Sequence, residues 1–289
     1  PNVDYLEKNR KKILGMFITH AHYDHIGAIP YIVEKLGNPT LYTAPLTRAI
    51  ILKRQEDFPH QKKLDIEAIE TNNLKPVSLG NFRVHPYLVN HNVPDTLGFA
   101  VETPLGTIFY MPDFKVDFSP IIDPPIDLGR IAFLSAKNPL VLMMDSTGAE
   151  EPGHSISERG IYDDLEHIFE RASGRIIVAT FASLISRLQQ IIWLSEKFNR
   201  RVVIDGYSMK SNVEIARLMG YLKINKNTLI SPQEAQGLLS RQLTILCTGS
   251  QGEDRAVLMR IANREHKYFK VERGDTVIFS SSVVPGNER

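Results

Sequence analysis

The sequence has one cysteine, Cys247, so no disulfide can close within the chain. That residue lies in LTILCTGS, an apolar run that reads as a buried strand, and a core thiol explains it better than a nucleophile does. An unpaired thiol suits a reducing compartment. Long apolar runs are also missing: none reaches the roughly 18 residues that would span a bilayer, and no signal-like segment opens the chain. The expectation is a cytoplasmic protein with no membrane partner. Charge of one sign is not in excess, because 34 Lys and Arg face 33 Asp and Glu for a net +1. That balance neither demands nor excludes nucleic acid, since a local basic groove can hide inside a neutral total. KNRKK (8–12) is the one dense basic run, read as capping or solvating a helix before the first strand. Aromatics make up 8% of residues and form no stripe suited to stacking bases. No internal repeat or low-complexity tract is visible.

What is present is 289 residues, 43% of them hydrophobic, enough for two ordinary domains. KKILGMFIT reads as a strand entering a core, IPYIVEKLG as a short helix and LTRAIILKRQEDF as a longer one. From residue 74 the pattern turns to β: FRVHPYLVN, LGFAVET and GTIFYMPDF are short apolar runs divided by turn residues, and GFAVETPLGTIFYM looks like a hairpin. LVLMMDSTG reads as another buried strand. After the Pro/Gly/Ser patch EEPGHSIS, Ser155 and Glu158 have capping-box spacing ahead of a helix. From there strands and helices alternate, which points to a parallel, doubly wound sheet. The expected division is a mixed domain over 1–155 and an α/β domain over 156–289.

The densest chemistry is in ITHAHYDHIGAIP (18–30), which puts His20, His22, Asp24 and His25 within six positions. These side chains cannot all face one way on a strand or a helix. They converge if a strand ends there and a helix begins. Imidazole suits zinc and related borderline metals, and carboxylate can bridge two ions. His20 and His22 could clamp one ion, and Asp24 and His25 a second. Such a pair needs at least one more His and one more Asp at strand ends. His91 in LVNHNVPDT and Asp113 in FYMPDFKVD meet that need. His60, His85, His154, His167 and His266 read as structural or surface residues, with His85 packing within its strand. Asp95 and Asp117 read as turn formers. Tyr23, inside the loop, is a candidate base or ribose contact.

The stretch THAHYDHIGAIP resembles the H-x-H-x-D-H signature of the metallo-β-lactamase fold. HNVPDTLGFAVETPLGTIFYMPDFKVD, MMDSTGAEEPGHSISER, IVATFASLISRLQQI, ILCTGSQGE and GDTVIFSSSVVPGNE, in that order, are similar to the ribonuclease J family of the β-CASP group. The resemblance implies an α/β fold class: an incomplete metallo-β-lactamase αββα sandwich plus an inserted β-CASP α/β domain. It implies that His20, His22 and His91 hold one ion, Asp24 and His25 the other, and Asp113 bridges them. Two divalent ions are implied, zinc first and manganese as the alternative. Asp24, with His25, becomes the catalytic candidate that takes or positions the nucleophile's proton. Asp145 takes a supporting role, orienting a metal-binding histidine by a hydrogen bond. The implied activity is 5′→3′ exonuclease and endonuclease hydrolysis of RNA in processing and decay. The implied substrate is a single strand with a 5′-monophosphate, and the implied assembly a homodimer or an oligomer with a related subunit.

In the second part the strand ends TFAS, GYSMK, TGSQGE and SSS are where an α/β sheet binds ligands. Ser183, Ser250 and Ser281 are candidate RNA contacts there, TGSQG is a candidate anion nest, and Arg187 and Lys210 are candidate phosphate charges. The sequence departs from the family at Ser186, where relatives carry His, and at Pro112, where Gly is usual. It does not include the family's early strands with their Asp motif, nor the later S-G-H-A-S and P-x-H-G-E motifs. The segment by itself is therefore expected to hold the second ion poorly and to hydrolyse RNA weakly or not at all. Two competing readings are a DNA-directed phosphodiesterase on the same scaffold and a non-catalytic RNA-binding or assembly protein with a remnant metal site.

Overall fold

The computed structural model describes residues 2–281. The PGNE motif and the end of the last expected strand lie outside the described residues. The chain divides into two compact units, Pro1–Ser157 and Glu158–Arg289. No helix among the described residues is long and apolar enough to cross a membrane.

The first unit opens with a short helix α1 (Asp4–Lys8) and a 3-10 turn over Arg10–Lys12, so the basic run belongs to this helical lead-in. Only Met16–Phe17 of KKILGMFIT forms strand β1, shorter than the sequence suggests. It pairs in parallel with β2 (Leu41–Thr43), which pairs in parallel with β3 (Ile66–Ala68). Between β1 and β2 lie the single-turn helices α2 (Tyr23–Ile26) and α3 (Ile29–Ile32). Helix α4 (Pro45–Gln55) follows β2, with Pro45 at its start, where no amide hydrogen is needed.

A second sheet contains β4 (Val77–Leu79), β5 (Phe82–Leu88), β6 (Leu97–Thr103), β7 (Gly106–Met111) and β8 (Pro139–Met144), in that order. Neighbours are antiparallel except β7 and β8, which run parallel. The period-2 alternation expected of strands sorts their side chains onto two faces. Val84, Leu97 and Phe99 pack with Tyr42 and Ala44 from β2 and its exit. Tyr87, Ala100 and Phe109 point the other way, onto Leu134 and Ile131 of helix α5 (Leu128–Ser135). Gly98 lies under the Tyr87 ring, where an added Cβ would come within 2.4 Å of it. Gly98→Ala should therefore lower the unfolding midpoint, by the ~1–3 kcal/mol typical of overpacking, as read by urea denaturation.

Strand β8 corrects one expectation. LVLMM is not buried: every residue of β8 is exposed, and the strand lies at the edge of its sheet, where among the described residues only β7 pairs with it. Beside it runs an apolar groove lined by Tyr87, Phe109, Met111, Ile131, Leu140 and Leu142.

The second unit is an α/β layer. After α6 (Glu158–Arg171) come β9 (Ile176–Ala179), α7 (Ile185–Lys197), β10 (Arg201–Asp205), α8 (Tyr207–Leu218), β11 (Leu243–Cys247), α9 (Val257–Ala262) and β12 (Thr276–Phe279). All four strands are parallel, in the order β10-β11-β9-β12. Their near-continuous apolar runs reflect burial on both faces. Ile177, Val203, Ile245 and Cys247 pack with Val257, Leu258 and Ile261 of α9. Cys247 is fully buried, and burial, with Asp205 nearby, raises its thiol to about 12. It is a core residue, as its sequence context suggests.

Candidate metal centre

The histidine loop is fixed by its neighbours before it reaches the centre. Ile18 continues the β1–β2 ladder by donating its amide to Tyr42 O, and Thr43 Oγ1 donates to Ile18 O at 2.8 Å. Thr19 O accepts the Leu97 amide of β6 at 3.0 Å. This places His20, fully buried, at a strand exit. His22 is the N-cap of α2, with extended φ −65° and ψ 145°. The chain thus switches from strand to helix inside the motif, and Asp24 and His25 turn back towards the residues before them.

His91 and Asp113 arrive from the other sheet. Strands β5 and β7 flank β6 antiparallel, so both end on the same side. Their exits are tied where Lys115 N donates to Asn90 O at 2.7 Å. Asn90 Nδ2 also donates to Pro124 O. Asp95, with φ +63°, forms the turn between His91 and β6. Asp117 closes the second exit: its Oδ1 accepts from Ser119 N and Ser157 Oγ, both at 2.9 Å. His85 keeps to its strand and pairs with Glu102 at 2.8 Å.

The resulting geometry is tight. His22 Nδ1 lies 3.1 Å from His20 Nε2 and 3.1 Å from His91 Nε2. Asp113 Oδ2 is 3.8 Å from His20 Nε2, 3.7 Å from His91 Nε2 and 3.5 Å from His25 Nε2. One ligand atom from each of His20, His22, His91 and Asp113 falls within 4.8 Å of the others. His25 Nε2 stands 3.4 Å from Asp24 Oδ2, whose side chain is mostly exposed. The carboxylate of Asp113 therefore stands between a three-histidine group and the Asp24–His25 pair.

The donor set fits a cation. A single proton on His22 Nδ1 can serve only one of the two facing nitrogens, leaving lone pairs opposed. Nitrogens bound to zinc at about 2.0–2.1 Å in a tetrahedron would lie roughly 3.3–3.4 Å apart, close to the spacing seen. Thr19 Oγ1, 3.0 Å from His20 Nδ1, can accept the proton there and leave the Nε2 lone pair facing the centre. Burial, then the charges of the neighbouring histidines, lowers His20 to about 2. Burial, then His22 and His25, lowers His91 to about 3, although Asp145 opposes this. His22 is also lowered, by burial first, against the pull of Asp24 and Asp113. All three imidazoles are thus neutral at pH 7, the form that binds metal.

A pH dependence follows. In the unfolded chain these histidines titrate near 6.5, so below that pH the unfolded state binds protons that the folded state refuses. Stability is fully present above about pH 6.5 and is lost as pH falls towards 3. Metal-free protein should show a falling unfolding midpoint between pH 6.5 and 4, and His20→Ala should flatten that fall.

Asp145 follows β8, and its amide donates to Met111 O. Burial pushes its carboxyl up, but hydrogen bonds from Thr147 and Ser146 outweigh this and hold it low. Its Oδ1 accepts from the Thr147 amide and hydroxyl. The expected hydrogen bond to a histidine is not among these partners. His91 feels Asp145 through charge. Thr19 and Thr43, which fix the loop, were not singled out from sequence. A threonine directly before the first motif histidine was the available signal for Thr19.

In the second unit the parallel strands bring the other candidates to one edge. Ser250 is buried, and its hydroxyl has no hydrogen-bond partner among the described residues. Ser183 and Ser281 are half-buried, and Ser281 Oγ accepts from Gln251 Nε2 at 3.4 Å. Lys210 is half-exposed but pairs with Asp205 at 2.7 Å, and Asp205 also meets His266 at 2.9 Å. Arg187 is a correction: it is neither a solvated helix position nor an open phosphate charge. It is buried, its Nη2 donates to Glu158 Oε2 at 3.0 Å and its Nη1 to Ser280 Oγ at 2.5 Å. Helix α7 is buried along much of its length, which turns this position inward.

Comparison with known proteins agrees with this architecture. Residues 2–134 match the family described as "Beta-lactamase superfamily domain" and residues 173–289 the one described as "Ribonuclease J, beta-CASP domain". The chain is 38% identical to ribonuclease J of Synechocystis over 99% of its own length and 45% of the relative's. It is 39% identical to ribonuclease J 1 of Streptococcus pyogenes, over 99% of the chain and 50% of the relative. For ribonuclease J of Thermus thermophilus the identity is 38%, over 100% of the chain and 51% of the relative. A crystal structure of an Enterococcus faecalis protein of unknown function has the same fold, with TM-score 0.55 at 20% identity over 80% of this chain and 57% of that one. Fold and site together define a metallo-β-lactamase-type chain with a β-CASP domain and a centre suited to divalent metal. Within that class the chain belongs to the ribonuclease J family. It spans about half the length of the curated relatives it matches.

Proposed function

We propose that the full-length protein is a metal-dependent ribonuclease that hydrolyses RNA phosphodiester bonds, cutting from a 5′-monophosphate end and also internally. The observation that carries this reading is the convergence of His20, His22 and His91 on one point, with Asp113 beside it. Residues 1–155 would serve as the metal-binding domain and 156–289 as the β-CASP domain. A unit boundary at Ser157/Glu158 supports that division.

His20, His22 and His91 would hold one divalent ion, Asp24 and His25 a second, and Asp113 would bridge, with zinc the first choice and manganese the alternative. Such ions acidify water and offset charge on phosphate oxygens. The chain's own residues supply the rest. Asp24, the most exposed carboxylate of the group, would take or position the proton of an attacking water. His25, 3.4 Å away, orients that carboxylate. Asp145 steadies His91 through its charge. Ser183, Ser250 and Ser281 would line the strand's path, and Lys210 would add charge. Arg187 drops out of that set.

Matched 5′-monophosphate RNA and DNA strands, digested by the full-length protein with zinc or manganese, test the reading. RNA should be cut and chelator should stop it. Cleavage of DNA alone would reject it in favour of a DNA-directed phosphodiesterase.

A further inference from the structure

Tyr23 stands in the chain between His22 and Asp24, so its Cα is only about 3.8 Å from theirs. Its side chain is 61% exposed, yet it is not loosely held. The hydroxyl accepts a hydrogen bond from Arg54 Nη2, and the Arg54 guanidinium lies 5.1 Å from the ring centroid. On another side the ring rests on Gly27. A Cβ there would meet ring atom Cε1 at 2.9 Å and the Tyr23 carbonyl oxygen at 2.5 Å, so only glycine seats the ring this way. Arg54 is itself fixed. It pairs with Asp57 at 2.6 Å and stacks over Phe58 at 5.0 Å, and Tyr31 meets Phe58 edge-on at 5.3 Å. Two neighbours, Arg54 and Gly27, therefore hold the ring of a residue that adjoins two ligand candidates in the chain, while most of its side chain faces solvent.

We propose that Tyr23, braced by Arg54 and seated on Gly27, stacks against the base of the nucleotide whose phosphate occupies the metal centre. This deepens, and rests on, the ribonuclease reading. An aromatic face accepts any base, which suits an enzyme that trims strands of varied sequence. A ring already ordered loses little freedom on binding.

The test uses the metal-loaded full-length protein and a cleavage-resistant 5′-monophosphate RNA with 2-aminopurine placed at successive positions. At one position the wild type should quench the fluorophore. Tyr23→Leu should lose that quenching and bind the strand on the order of tenfold more weakly, the scale of one lost base–aromatic stack. Tyr23→Trp should keep both. Metal content per chain should be equal in all three. Wild-type quenching and affinity in Tyr23→Leu would overturn the stacking while leaving the ribonuclease reading in place. If Tyr23→Leu loses metal and Tyr23→Trp fails to restore quenching, the ring serves only the loop's fold and the proposal fails. A wild type that does not bind the strand at all overturns both readings.

Discussion

Replacing His22 by alanine is expected to cut RNA hydrolysis by the full-length protein on the order of a thousandfold or more. It should also remove at least one equivalent of bound metal. The reason is position. Of the three imidazoles, His22 supplies the nitrogen that faces both of the others, at 3.1 Å each. Without it, no third nitrogen closes the group. The Lewis-acid contribution of a catalytic ion is several kcal/mol, and each ~1.4 kcal/mol is a factor of ten in rate. Asp113→Asn should cost a comparable amount, because a neutral amide cannot offset two dications. Elemental analysis beside single-turnover kinetics checks both. If His22→Ala keeps full metal and rate, the centre is not the one described. Lost metal with RNA affinity and cellular role intact would favour a non-catalytic binding protein.

The second large effect concerns stability and separates two readings of one residue. Arg187→Met should destabilise the β-CASP unit by about 3 kcal/mol, the lower end for breaking a buried ion pair. Glu158, whose side chain is largely buried, would lose the ion pair that Arg187 makes with it at 3.0 Å. The double variant Glu158→Leu/Arg187→Met should recover much of the loss, since the stranded carboxylate is then gone. Urea denaturation of the wild type, Arg187→Met, Glu158→Leu and the double variant completes the cycle. Had Arg187 been a phosphate contact, the single change would weaken RNA binding and leave the unfolding midpoint where it was.

Arg187 also shows where sequence reasoning stopped. A charged residue in a helical pattern is usually solvated, and nothing in ISRLQQ reveals that Glu158 and Ser280 wait for it from distant segments. Position β8 failed for a related reason. Five apolar residues in a row predict burial, but whether a strand is central or at an edge is a property of the sheet, not of the run. By contrast, the strand-to-helix switch at His20–His25 was legible, because H-x-H-x-D-H admits few other ways to converge. His91 and Asp113 were legible as strand-end residues because the hairpin signal around PLG set β6 against β7, and a three-strand meander returns alternate ends to one side. The β–α alternation after residue 156 was equally clear. The hold of Thr43 on the loop and the bracing of Tyr23 by Arg54 depend on contacts across 25 and 31 residues of sequence. No local pattern encodes those.

The central claim is that three imidazoles and one carboxylate form a pocket for divalent cations. Anomalous diffraction from zinc-loaded crystals of the full-length protein, collected on both sides of the zinc edge, tests it most directly. The account predicts a peak bonded to His20 Nε2, His22 Nδ1 and His91 Nε2, with Asp113 Oδ2 reaching towards a second peak near Asp24 and His25. Strong zinc peaks elsewhere, with these four side chains unbound, would contradict it.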